Sequence, residues 1–142
     1  MAYTGIAADS TVNTTVTDSR HGDLRKVQFA WIMGGVASTT ITHTIPAGFM
    51  DGIVLRAIVD PGTPAPKDNY DIQFLDTVSH DLMGGALIDS SSGTTADILP
   101  VSDSTKMTTG VPSVGPYSLA ITGLLGSSTG ANGTVTIFVD QK

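Results

Sequence analysis

At 142 residues, with 40% hydrophobic residues, only 14% charged residues and a net charge of -6, the chain reads as one folded acidic domain. A disordered acidic chain would carry more charge and fewer β-branched residues. The absence of cysteine excludes disulfides, zinc–thiolate sites and a cysteine nucleophile, and the negative balance repels phosphate backbones, so no nucleic-acid partner is expected.

Residues 1–19 are small, polar and Thr-rich, with one alternating patch from Thr11 to Thr17. They are expected to form an extended arm or an edge strand, ahead of a single domain over residues 20–142. Neither a basic-then-apolar leader nor an apolar run near the ~18 residues of a membrane span is present, so no membrane partner is expected. Arg20, Arg25 and Lys26, with His21 nearby, gather much of the positive charge into one short segment. That cluster is either a solvated loop and strand start or an electrostatic contact to an acidic protein.

Val27, Phe29, Trp31 and Met33 alternate with Gln28, Ala30 and Ile32, which predicts a strand with an aromatic-rich inner face. Gly34-Gly35 closes it, and residues 38–45 return as a second strand. His43, between Thr42 and Thr44, is expected to be partly exposed there. Pro46-Ala47-Gly48 marks a turn. It places Phe49 either as a plug beneath the loop or as an exposed anchor for an interface. Residues 53–59 form a nearly continuous apolar strand carrying Arg56. In residues 61–68, prolines 61, 64 and 66 remove backbone donors, so this stretch is not a central strand.

Residues 70–75 alternate again, and 80–88 read as a strand interrupted by Gly84-Gly85. Residues 89–114 are loop-like. Two strands, over 117–125 and 134–139, complete the chain. Eight to ten short strands without a long helix predict an all-β, antiparallel sandwich, jelly-roll-like.

No arrangement of reactive groups matches a catalytic site, so no enzyme activity is expected. Gly126-Ser127-Ser128-Thr129-Gly130 fits G-x-S-x-G, but a nucleophile elbow needs a helix after it, and a strand follows here. Neighbours in sequence such as Ser79, His80 and Asp81 alternate across a strand and cannot form a relay. Asp68, Asn69 and Asp71 are better suited to turn chemistry than to a calcium loop, which needs further ligands and a terminal bidentate acid. No metal and no cofactor are expected.

The segments IPAGFMDGIVLRAIVDPG, DNYDIQFLD and DLMGGALIDSS form a pattern of strand, Pro-rich loop, Asn-Tyr-Asp strand and Gly-Gly segment, followed by a closing hairpin. Across roughly residues 25–139 this pattern resembles small β-rich virion proteins of tailed bacteriophages, especially head decoration (cement) proteins. The resemblance implies a protein assembled in the host cytoplasm and carried on the capsid surface. There it would bridge subunits of the major capsid protein as a homodimer or homotrimer. Arg20, Arg25, Lys26 and Phe49 are then the candidate shell contacts. A tail or head–tail junction component is the alternative within the same class. A carbohydrate-binding jelly roll, stacking sugars on Trp31, the tyrosines or Phe49, is the alternative outside it.

Overall fold

The computed structural model describes residues 2–6, 12–33, 40–103, 106–107, 111–128 and 130–141. Its strands in chain order are β1 (Ala2–Ile6), β2 (Val12–His21), β3 (Leu24–Met33), β4 (Ile41–Ile45), β5 (Gly52–Pro61) and β6 (Asp71–Leu75). They continue as β7 (Ala96–Ile98), β8 (Val101–Asp103), β9 (Lys106–Met107), β10 (Val111–Ser113), β11 (Tyr117–Thr122) and β12 (Asn132–Asp140). The larger sheet has the order β1-β2-β3-β12-β5-β10, with β7 also paired to β5; the smaller has the order β4-β11-β6, and β8 pairs with β9. All pairings are antiparallel.

The two main sheets close on each other as a sandwich because each carries an apolar stripe at period two. Val27, Phe29, Trp31 and Met33 of β3 and Val135, Ile137 and Val139 of β12 meet Ile41 and Ile45 of β4, Leu119 and Ile121 of β11, and Ile72 and Phe74 of β6 in one core. The Phe29 and Phe74 rings meet across the interface at 5.5 Å between centroids, tilted by 58°. This edge-to-face habit adds to the area burial that holds the layers together.

The apolar run in β5 is resolved by a β-bulge. Phe138 stands opposite Arg56 and Val139 opposite Val54, so Leu55 has no opposite number. The extra residue lets Val54, Ala57 and Val59 all face the core, although their spacing breaks strict alternation. Arg56 thereby points outward, where its guanidinium lies 4.7 Å over the Phe138 ring and reaches Asp97 at 3.0 Å.

Residues 1–19 were expected to be an arm or an edge strand. In the structure β1 takes the edge, and most of the Thr11–Thr17 patch lies in β2, paired with β1 on one side and β3 on the other.

Residues 80–88 form turns instead of the predicted strand. Gly84 and Gly85 adopt φ of 64° and 84°, and successive i→i+3 bonds run from Gly84 N to Asp81 O and from Ala86 N to Met83 O. This coil lies along the outer edge of β6, through Leu82 N to Phe74 O and Ile72 N to Leu87 O. Its Leu82, Met83 and Leu87 plug the sandwich. The loop-like stretch 89–114 supplies β7 and β10 as short edge pieces on β5.

The Trp31 and Tyr70 rings meet at 5.8 Å, tilted by 58°, both buried, and neither Trp31 Nε1 nor the Tyr70 hydroxyl has a hydrogen-bond partner among the described residues. Burial, with a smaller contribution from the Asp60 charge, pushes the Tyr70 phenol up to about 12. A buried hydroxyl without a partner carries a desolvation cost. Tyr70→Phe is therefore expected to leave stability unchanged or raise it by about 1 kcal/mol in chemical denaturation.

Candidate interaction surface

The β2–β3 hairpin turns at Gly22, whose φ of 64° suits a residue without a Cβ. Beyond the turn, strand alternation sends Arg25 inward on the same face as Val27, Phe29 and Trp31, and Lys26 outward. Arg25 is 4% exposed. Its Nε and Nη2 donate to the two Asp18 carboxylate oxygens, each at 2.8 Å, in a planar bidentate pair. Nη1 donates to the Phe49 carbonyl, and the guanidinium lies 4.2 Å from the centroid of the Phe49 ring. The Arg25 hydrogen bond, followed by its charge, holds the Asp18 carboxyl below the usual carboxylate range against the opposing effect of burial.

Of the four candidate contacts, the structure brings Arg25 and Phe49 together in an internal cluster. Arg20 stands opposite Arg25 in register and is exposed, whereas Lys26 is exposed on the outer face opposite Phe138. Arg20 and Lys26 are thus the exposed cations of the four, on opposite faces of the sheet, and Phe49 is half-buried against Arg25.

His43 was expected to be partly exposed, but it is 5% exposed and shares the core-facing side of β4 with Ile41 and Ile45. Burial lowers its pKa from 6.5. The unfolded chain then binds a proton more readily, so the stabilisation from neutral His43 is complete above pH 6.5 and declines as pH falls below that value. Asp18 acts in a lower window, its contribution being complete above 3.8 and lost as pH falls below it. Melting temperature is accordingly expected to fall from about pH 7 to about pH 5, with His43→Gln flattening that limb and leaving the loss at lower pH.

The loop carboxylates are committed to backbone amides. Asp76 Oδ1 accepts from Val78 N and His80 N, both at 2.9 Å. Asp81 accepts from Phe74 N, Met83 N and Gly85 N at 3.0, 3.2 and 2.8 Å. Asp68 and Asp71 accept from Ser92 N and Asp89 N, and Asp51 accepts from Gly115 N. Asp68 and Asp71, expected to bond their own turn, instead tie the start of β6 to the 89–92 segment, and no group of three or more potential metal ligands occurs among the described residues. Ser127 is buried, with its Oγ accepting from Lys67 N at 2.8 Å, while Ser128 is exposed on a turn between β11 and β12. Trp31, Tyr70 and Tyr117 are buried, so their rings are not open platforms for sugars.

One feature escaped the sequence reading. A cleft of ≈ 240 Å³ opens at one end of the sandwich between the 76–82 loop and the segment leading into β11, lined by Asp76, His80, Leu82, Pro112, Val114 and Tyr117. A second hollow of ≈ 180 Å³, over Leu75 and Pro116, shares Asp76 and Tyr117 with it. The signal for it was Val114, an apolar residue between Pro112 and Pro116 that is 73% exposed.

Together these features define an all-β, antiparallel protein built on two main sheets, with loops pinned by carboxylate–amide bonds. No protein-family model, curated protein or solved structure matches the chain.

Proposed function

We propose that this chain is a non-catalytic virion structural protein, a head decoration protein that binds the outside of a phage capsid and bridges major capsid protein subunits. The observation that carries the reading is the use of Asp51, Asp68, Asp71, Asp76 and Asp81 to bond loop and strand amides, Asp51, Asp68 and Asp71 across distant segments and Asp76 and Asp81 mostly within their own turns. Loops held in this way present a fixed surface, and a preformed surface loses little ordering entropy on binding. The phage-like arrangement of turns and strands supports the same reading.

Shell stabilisation follows from mass action: a ligand that binds only the expanded shell lowers its free energy at every site occupied. A homodimer or homotrimer adds effective concentration, so weak individual contacts suffice. Arg20 and Lys26 supply the electrostatic contact, and Phe49 supplies the apolar edge.

The test is co-sedimentation of the purified chain with expanded heads that lack it, counting bound copies per particle. Saturation at hundreds of copies, with heads that resist heat better, supports decoration. A dozen or fewer places the protein in the tail or neck, and no binding overturns the reading.

A further inference from the structure

We infer that the cleft between the 76–82 loop and the segment entering β11 is a recognition site for a lysine side chain on an extended segment of a partner protein. This inference is independent of whether that partner is a capsid. Asp76 anchors it: Oδ1 is fully engaged by the amides of Val78 and His80, whereas Oδ2 has no partner among the described residues. Those two hydrogen bonds hold the carboxylate in its charged form and fix its direction.

The walls suit an alkyl stem. Leu82, Pro112, Val114 and Tyr117 line the ≈ 240 Å³ cleft, and Val114 leaves most of its surface open. A lysine buries its methylenes along such walls while its ammonium reaches a terminal carboxylate. The Tyr117 hydroxyl does not compete for the ammonium, because it already accepts from Val114 N at 2.9 Å and pairs with Ser113 Oγ at 3.2 Å.

The geometry selects lysine over arginine. A guanidinium gains most from a bidentate fork on two free carboxylate oxygens, and only one is free here. The adjoining ≈ 180 Å³ hollow, across Tyr117 and over Leu75 and Pro116, receives a neighbouring apolar residue of the same extended segment.

The probe is a blocked pentapeptide, acetyl-Ala-Val-Lys-Val-Ala-amide, titrated into isotopically labelled protein at neutral pH. Versions with norleucine or arginine at the centre serve for comparison. Backbone amide shifts are read at Val78, His80, Val114 and Ser118. Saturable shifts with a dissociation constant on the order of 1 mM are expected, with lysine preferred over norleucine by about fivefold.

Asp76→Asn keeps an oxygen acceptor for the loop amides but removes the charge, and should abolish that preference. Asp89→Asn, beside Asp71 at the opposite end of β6 from Asp76, makes the same change in net charge and should keep it, which separates the site from the general attraction of an acidic protein. Equal binding of the lysine and norleucine peptides would overturn the inference. So would a preference that survives Asp76→Asn, or no saturation by about 10 mM peptide.

Discussion

Replacing Arg25 with methionine is expected to lower the stability of the folded chain by about 3 kcal/mol, seen as a melting temperature roughly 10 °C lower. Methionine keeps much of the aliphatic volume but leaves the Asp18 carboxylate, 8% exposed, without its bidentate partner. It also strips the Phe49 carbonyl of a donor and the Phe49 ring of its cation. Because a buried ion pair offers little beyond an apolar pair of the same shape, Asp18→Leu combined with Arg25→Met should recover a large part of the loss. Arg20→Glu is the contrast: it is exposed and should stay within about 1 kcal/mol of the parent. Equal effects of the Arg20 and Arg25 substitutions in thermal melts would show that Arg25 is not internally committed.

The second large effect is expected at Gly52, where β5 begins. Its φ is 146°, a conformation that L side chains rarely adopt, and a Cβ there would stand 2.3 Å from the Asp140 carbonyl oxygen and 2.9 Å from Val139 Cγ1. The obstacle is mainly backbone of β12, which pairs with both β3 and β5 and cannot swing aside. Gly52→Ala should therefore cost about 3 kcal/mol through backbone strain and overpacking. Gly93→Ala, with open space around the added methyl, is the control and should be near neutral in the same denaturant titration.

Much of this fold was legible because its strongest strands obey period two. The alternation through Val27, Phe29, Trp31 and Met33 is the core stripe of β3, and β12 and β11 lie within two and three residues of their expected ends. The same alternation held two signals that went unused. His43 sits between Ile41 and Ile45 on one strand face, and Arg25 is two residues before Val27 on another. Residue type argued for solvent at both positions, but the facing sheet and Asp18 decided otherwise, and no local pattern reports a partner from another strand.

The 80–88 segment misled for a different reason. Its apolar residues do pack inward, but Gly84 and Gly85 with positive φ and the triple-accepting Asp81 make it a chain of turns. The Asp76 cleft was invisible because its two walls come from loops about 35 residues apart, brought together only by the pairing of β6 with β11.

The proposed shell contact runs through the exposed cations Arg20 and Lys26, so the decisive measurement is binding of an Arg20→Glu, Lys26→Glu double variant to expanded heads lacking the protein. Copies bound per particle would be counted beside the parent, after thermal melts confirm that both are folded. Fewer bound copies with a nearly unchanged melt is the expected result. Undiminished binding by the folded double variant would contradict it.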